Sequence, residues 1–89
     1  MKIITKTRVE DGQGLVIQLD RGRIKYSENG KNTHIEIEHG DHEVSIYIHS
    51  LREWFPPYQN SVITEDLKME ICNKVQKALL LLGISSRVE

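Results

Sequence analysis

Arg23-Ile24-Lys25-Tyr26-Ser27-Glu28-Asn29-Gly30-Lys31-Asn32-Thr33-His34-Ile35-Glu36-Ile37 decides the fold, because the turn at its centre fixes which side chains share a face. Asn29-Gly30 suits both positions of a two-residue type I′ loop, where φ must be positive. That loop sets Glu28 opposite Lys31, Tyr26 opposite Thr33 and Ile24 opposite Ile35. The other face then pairs Lys25 with His34 and Arg23 with Glu36. Cross-strand partners lie on one side of a sheet, so this register separates an apolar face from a charged one.

Working outward, Gly40-Asp41 reads as a type II′ loop that places His39 opposite His42, Ile37 opposite Val44 and Ile35 opposite Ile46. The resulting meander from Arg23 to Ile48 offers Ile24, Tyr26, Ile35, Ile37, Val44, Ile46 and Ile48 to one core. Its reverse carries Arg23, Lys25, His34, Glu36, Ser45, Tyr47 and His49. Upstream, Ile3 to Val9 and Leu15 to Leu19 read as strands joined by a three-residue loop at Asp11-Gly12-Gln13, with Val9 opposite Leu15 and Thr7 opposite Ile17. The path through Asp20-Arg21-Gly22 is left open by the pattern.

Downstream, Thr64 is placed to cap a helix over Glu65 to Leu82, with Glu65 and Asp66 at the positive end of its dipole and Gly83 as the residue after the cap. Leu67, Ile71, Val75, Ala78, Leu79 and Leu82 recur at helical spacing, and Glu70 precedes Lys74 at i,i+4 on the outer side. Ile84 to Val88 reads as a last short strand. The expected fold class is α+β: a mostly antiparallel sheet of about five to six strands with one long C-terminal helix on one face.

Between sheet and helix stands Ser50-Leu51-Arg52-Glu53-Trp54-Phe55-Pro56-Pro57-Tyr58, which holds the only Trp, the only Phe and both prolines. Ser50 and Glu53 have capping-box spacing, which predicts a helical turn with Leu51, Trp54 and Phe55 on a shared face. Trp54 either closes the open end of the core or, with Tyr58, anchors a partner.

Chemistry is sparsely signalled. At 89 residues the chain makes one domain, residues 1–89, with a modest core. Twelve Lys and Arg nearly balance 13 Asp and Glu, which speaks against a nucleic-acid binder with a broad basic footprint. A runner-up reading nonetheless has Arg21, Arg23, Lys25 and Lys31 meeting phosphate on one hairpin. Cys72 is the sole cysteine and flanks the apolar helix stripe, so it reads as buried and inert. His39 and His42 across a turn fall short of the three or four ligands a zinc site needs. No framed nucleophile, phosphate-cradling glycine loop or membrane-length apolar run occurs, so no catalytic residue, metal or cofactor is assigned. The cytoplasm is the expected compartment.

Arg21-Gly22-Arg23-Ile24-Lys25-Tyr26, then Ser50-Leu51-Arg52-Glu53-Trp54-Phe55-Pro56-Pro57-Tyr58, then the Thr64-Glu65 helix start resemble the immunity protein 74 family over residues 21 to 89. The Ser-x-x-x-Trp-x-Pro-Pro segment is the most specific part. The resemblance implies a non-enzymatic bacterial antidote that binds the C-terminal domain of a cognate toxin, as in contact-dependent growth inhibition. It supplies no site residues. From the residues themselves, the candidates for partner contact are Arg23, Lys25, Glu36 and Tyr47 on the polar sheet face and Tyr58 at the joint, each also readable as ordinary solvated surface.

Overall fold

A computed structural model describes all 89 residues. Seven strands lie side by side in chain order: β1 (Lys2–Thr5), β2 (Arg8–Glu10), β3 (Leu15–Asp20), β4 (Arg23–Glu28), β5 (Lys31–His39), β6 (Val44–Ile46) and β7 (Ser86–Val88). All neighbours are antiparallel except β6 and β7, which run parallel. One helix, α1 (Glu65–Leu81), supplies the crossover that a parallel pair requires and covers a single face of the curled sheet. The α+β class is as expected, with one strand more than the upper expectation.

The central hairpin has the register its turn dictates. Asn29 and Gly30 both take positive φ, 53° and 84°, and Arg23 stands opposite Glu36, Lys25 opposite His34 and Tyr26 opposite Thr33. The second turn differs from expectation. His39 pairs with Val44 and Ile37 with Ile46, so the loop holds four residues and His42 is not a cross-strand partner of His39. Gly40 is needed for close approach instead of positive φ: its N–H donates to the Glu43 carbonyl at 2.9 Å, and a Cβ there would sit 2.9 Å from that same oxygen. The slip is two residues. Side chains alternate with a period of two, so Ile37, Val44 and Ile46 keep the core face.

The same correction applies upstream. Val9 faces Ile17, not Leu15, because Asp11 organises a longer loop by accepting hydrogen bonds from the N–H groups of Gln13 (2.7 Å) and Leu15 (3.0 Å). Ile3 to Val9 breaks into two strands at Lys6-Thr7, and Asp20-Arg21-Gly22 resolves as a tight hairpin in which Asp20 faces Arg23 and Gly22 takes φ 73°.

Helix α1 begins and ends on side-chain and backbone signals. Thr64 Oγ1 accepts the Leu67 N–H at 3.2 Å. At the far end Ile84 N–H reaches the Leu79 carbonyl (2.8 Å) and Gly83 N–H that of Leu80 (2.9 Å), a Schellman arrangement with Gly83 at φ 80°. Ile71, Cys72, Val75, Ala78 and Leu79 are buried against Ile24, Ile35, Ile46 and the other inward sheet residues, while Leu67 and Leu82 border the core. Lys74 does not pair along the helix with Glu70. It crosses to the sheet and donates to Glu28 at 2.6 Å, and Glu28 also accepts the hydroxyl of buried Tyr26 at 3.0 Å.

The joint departs most from expectation. Ser50 ends a single 3-10 turn, Ile48–Ser50, instead of opening a helical one. Its hydroxyl is already committed, accepting from Glu36 N–H (2.8 Å) and donating to the Tyr47 carbonyl (2.6 Å), so no capping box with Glu53 forms. Leu51 and Trp54 are buried, with Trp54 6.3 Å from the Tyr26 ring, but Phe55 leaves them and is 41% exposed. The segment is laced to the hairpin: Thr33 Oγ1 donates to the Glu53 carbonyl (2.9 Å) and Phe55 N–H to that of Asn32 (2.7 Å).

Candidate functional site

Because α1 covers only the inward face, the outward residues of β2 to β5 form an open surface. Its largest depression is a groove of about 840 Å³ lined by Arg8, Gln18, Asp20, Arg23, Lys25, Asn32, His34 and Phe55, among others. The floor follows from strand alternation. Ile17, Leu19, Ile24, Tyr26 and Ile35 point to the helix, so Gln18, Asp20, Arg23, Lys25 and His34 must point away. Phe55 supplies an aromatic wall, standing edge-on to the His34 ring with centroids 5.0 Å apart.

Electrostatically the groove is mixed. Asp20 lies 3.9 Å from Arg23 Nε and 3.6 Å from Lys25 Nζ. The Arg21 N–H, with Lys25 and Arg23, holds its carboxyl below the usual aspartate range. Arg8 is braced at the rim by Glu10, Nε to carboxylate 2.7 Å. A second, smaller hollow of about 430 Å³ adjoins across Arg23 and His34, lined also by Glu36, Glu38 and Tyr47. There Tyr47 donates its hydroxyl to Glu38 (2.9 Å), a bond that raises the phenol's pKa by favouring its protonated form.

Four of the five residues expected to meet a partner, Arg23, Lys25, Glu36 and Tyr47, therefore share one surface. Arg23 faces Glu36 in register, yet its guanidinium has Asp20 within ion-pair range. Tyr58 stands apart from them, exposed beside Lys31, whose ammonium lies 5.6 Å from its ring and 5.9 Å from that of Trp54. This also divides the cationic hairpin considered from sequence. Lys31 alternates onto the helix side while Arg23 and Lys25 are on the reverse, so the four cations make no continuous phosphate track.

Residues the sequence reading passed over are Arg8, Gln18, Asp20 and Phe55. The alternation Leu15-Val16-Ile17-Gln18-Leu19-Asp20 already puts Gln18 and Asp20 on the outer face. Phe55 carried no such signal, being adjacent to a core Trp. The sheet brings together no three His, Cys, Asp or Glu side chains fit to hold a metal ion. Cys72 is buried, and burial pushes its thiol pKa up, away from the reactive thiolate.

A family model described as immunity protein 74 matches residues 16–88. The chain belongs to the immunity protein 74 family. Searches of curated proteins and of solved structures gave no match. The immunity protein 74 match takes in β3 from Val16 onward, β4 to β7, α1 and the joint, whereas β1, β2 and hence Arg8 lie outside it. No helix is long and apolar enough to cross a membrane.

Proposed function

We propose that this immunity protein binds the C-terminal domain of a cognate bacterial toxin, of the contact-dependent growth inhibition type, and neutralises it by covering its active site or the path of its substrate. The observation that carries this reading, beside the family, is the uncovered sheet face, where Arg23, Lys25, Glu36 and Tyr47 lie around adjoining hollows. A standard interface takes about 800 Å² from each partner. The chain exposes 5765 Å² in all, so one sheet face can supply that area while the helix side stays free.

The mechanism is binding without chemistry, in the cytoplasm of the cell that must be protected. Side chains around the hollows are donors, acceptors and ring faces held by the sheet, which lowers the entropy lost on docking. The test is co-expression with the toxin domain encoded by the neighbouring reading frame. Growth is expected to be restored and the two chains to co-purify in equal amounts. Unrelieved toxicity with no complex, from a folded chain, sinks the proposal.

A further inference from the structure

The larger groove differs in charge from the molecule around it. Its lining has three cations, Arg8, Arg23 and Lys25, against the carboxylate of Asp20, and with Glu10 beside Arg8 at the rim the positive charges still outnumber the negative, whereas the whole chain carries a net charge of −1. Beside these cations stands an exposed aromatic ring, Phe55, oriented by its backbone bond to Asn32 and by the edge-on contact with His34. Aromatic residues, Phe among them, and Arg are enriched at protein interfaces relative to the rest of the surface.

We infer that this groove receives an acidic segment of the toxin domain, with an apolar side chain of that segment packed on Phe55 and its carboxylates over Arg8 and Lys25. The inference rests on the neutralisation reading and names the chemistry of its partner surface. Inhibition here does not imitate a polyanion. A basic toxin cleft would bring like charge against Arg8, Arg23 and Lys25. A polypeptide fits better than a nucleic-acid strand because negative charge already interrupts the cations. Asp20 sits within ion-pair range of both Arg23 and Lys25, and Glu10 holds Arg8. A phosphate chain laid along the groove would run over these carboxylates, whereas separate acidic side chains can be spaced to avoid them.

The experiment measures association and dissociation rates between the full chain and the toxin domain of the neighbouring reading frame, inactivated by mutation, over a range of salt. Association is expected to slow as salt rises. Lys25→Glu and Arg23→Glu are each expected to weaken binding by about tenfold or more, chiefly through association. Phe55→Ala is expected to speed dissociation by about tenfold, with unchanged far-UV circular dichroism. If the complex forms and all three variants bind like the parent, the toxin docks elsewhere: this inference falls and the neutralisation reading stands. Tighter binding by the charge-reversed variants means a basic partner and also overturns it. So does tight capture of a labelled single-stranded oligonucleotide that Lys25→Glu abolishes. Absence of any complex removes both proposals together.

Discussion

At the scale of single residues, Trp54 and Phe55 show how adjacent aromatic rings come to serve different ends. Glu53 forms an isolated bridge with Val62, and the two rings that follow part company: Trp54 closes the core beneath Tyr26 while Phe55 reaches the outer face beside His34. Trp54→Ala is therefore expected to lower stability by about 3–5 kcal/mol, read from urea denaturation midpoints. Tyr26 makes a pH prediction. Burial, with Glu28 beside it, raises its pKa well above the ordinary value of 10.0. Its contribution is present in full below pH 10 and declines as pH rises further, since only the unfolded chain then ionises readily. Denaturation series between pH 8 and pH 11 should show the parent losing more stability than Tyr26→Phe. Burial of Trp54 was legible from its chemistry, but the exposure of Phe55 was not. The capping-box spacing of Ser50 and Glu53 implied a helical turn, and nothing local reveals that the serine hydroxyl bonds to Glu36 and Tyr47 instead.

Elements were legible in proportion to how far local chemistry alone determines them. Asn29-Gly30 demands positive φ at both loop positions, and few backbones satisfy that, so its register followed directly. Helix α1 carried its own start and stop in Thr64 and Gly83. Gly83→Ala, which forces a Cβ into the left-handed region at φ 80°, is expected to cost about 1 kcal/mol in thermal or urea unfolding. The loops at Asp11 and Gly40 were misjudged by two residues each, because side-chain and carbonyl hydrogen bonds within them stabilise longer turns than their glycines suggest. Neither error moved a side chain off its face. Strand β1 is a different case: all four of its residues are exposed, and Ile3 and Ile4 join no core. Hydrogen exchange of its amides is expected to be much faster than in β4 and β5, which occupy the interior of the sheet.

For the whole molecule, the sheet and its single helix leave one broad face unpartnered, and it is there that a binding role can reside. The sequence indicated that face through Arg23, Lys25, Glu36 and Tyr47. It could not reveal the groove, which takes Arg8 from β2 and Phe55 from the joint and exists only once distant segments meet. The C-terminal strand has the longest reach of all. Deleting residues 84–89 strips β6 of its parallel neighbour and removes the Ile84 half of the helix stop. The shortened chain is expected to self-associate more than the parent when the two are compared by size-exclusion chromatography. A ribosome making this protein extrudes Val44 to Ile46 long before Ser86 to Val88. Until Ser86 to Val88 follow, β6 has no partner on that side, so this border of the sheet can close only after the whole of α1 has been synthesised.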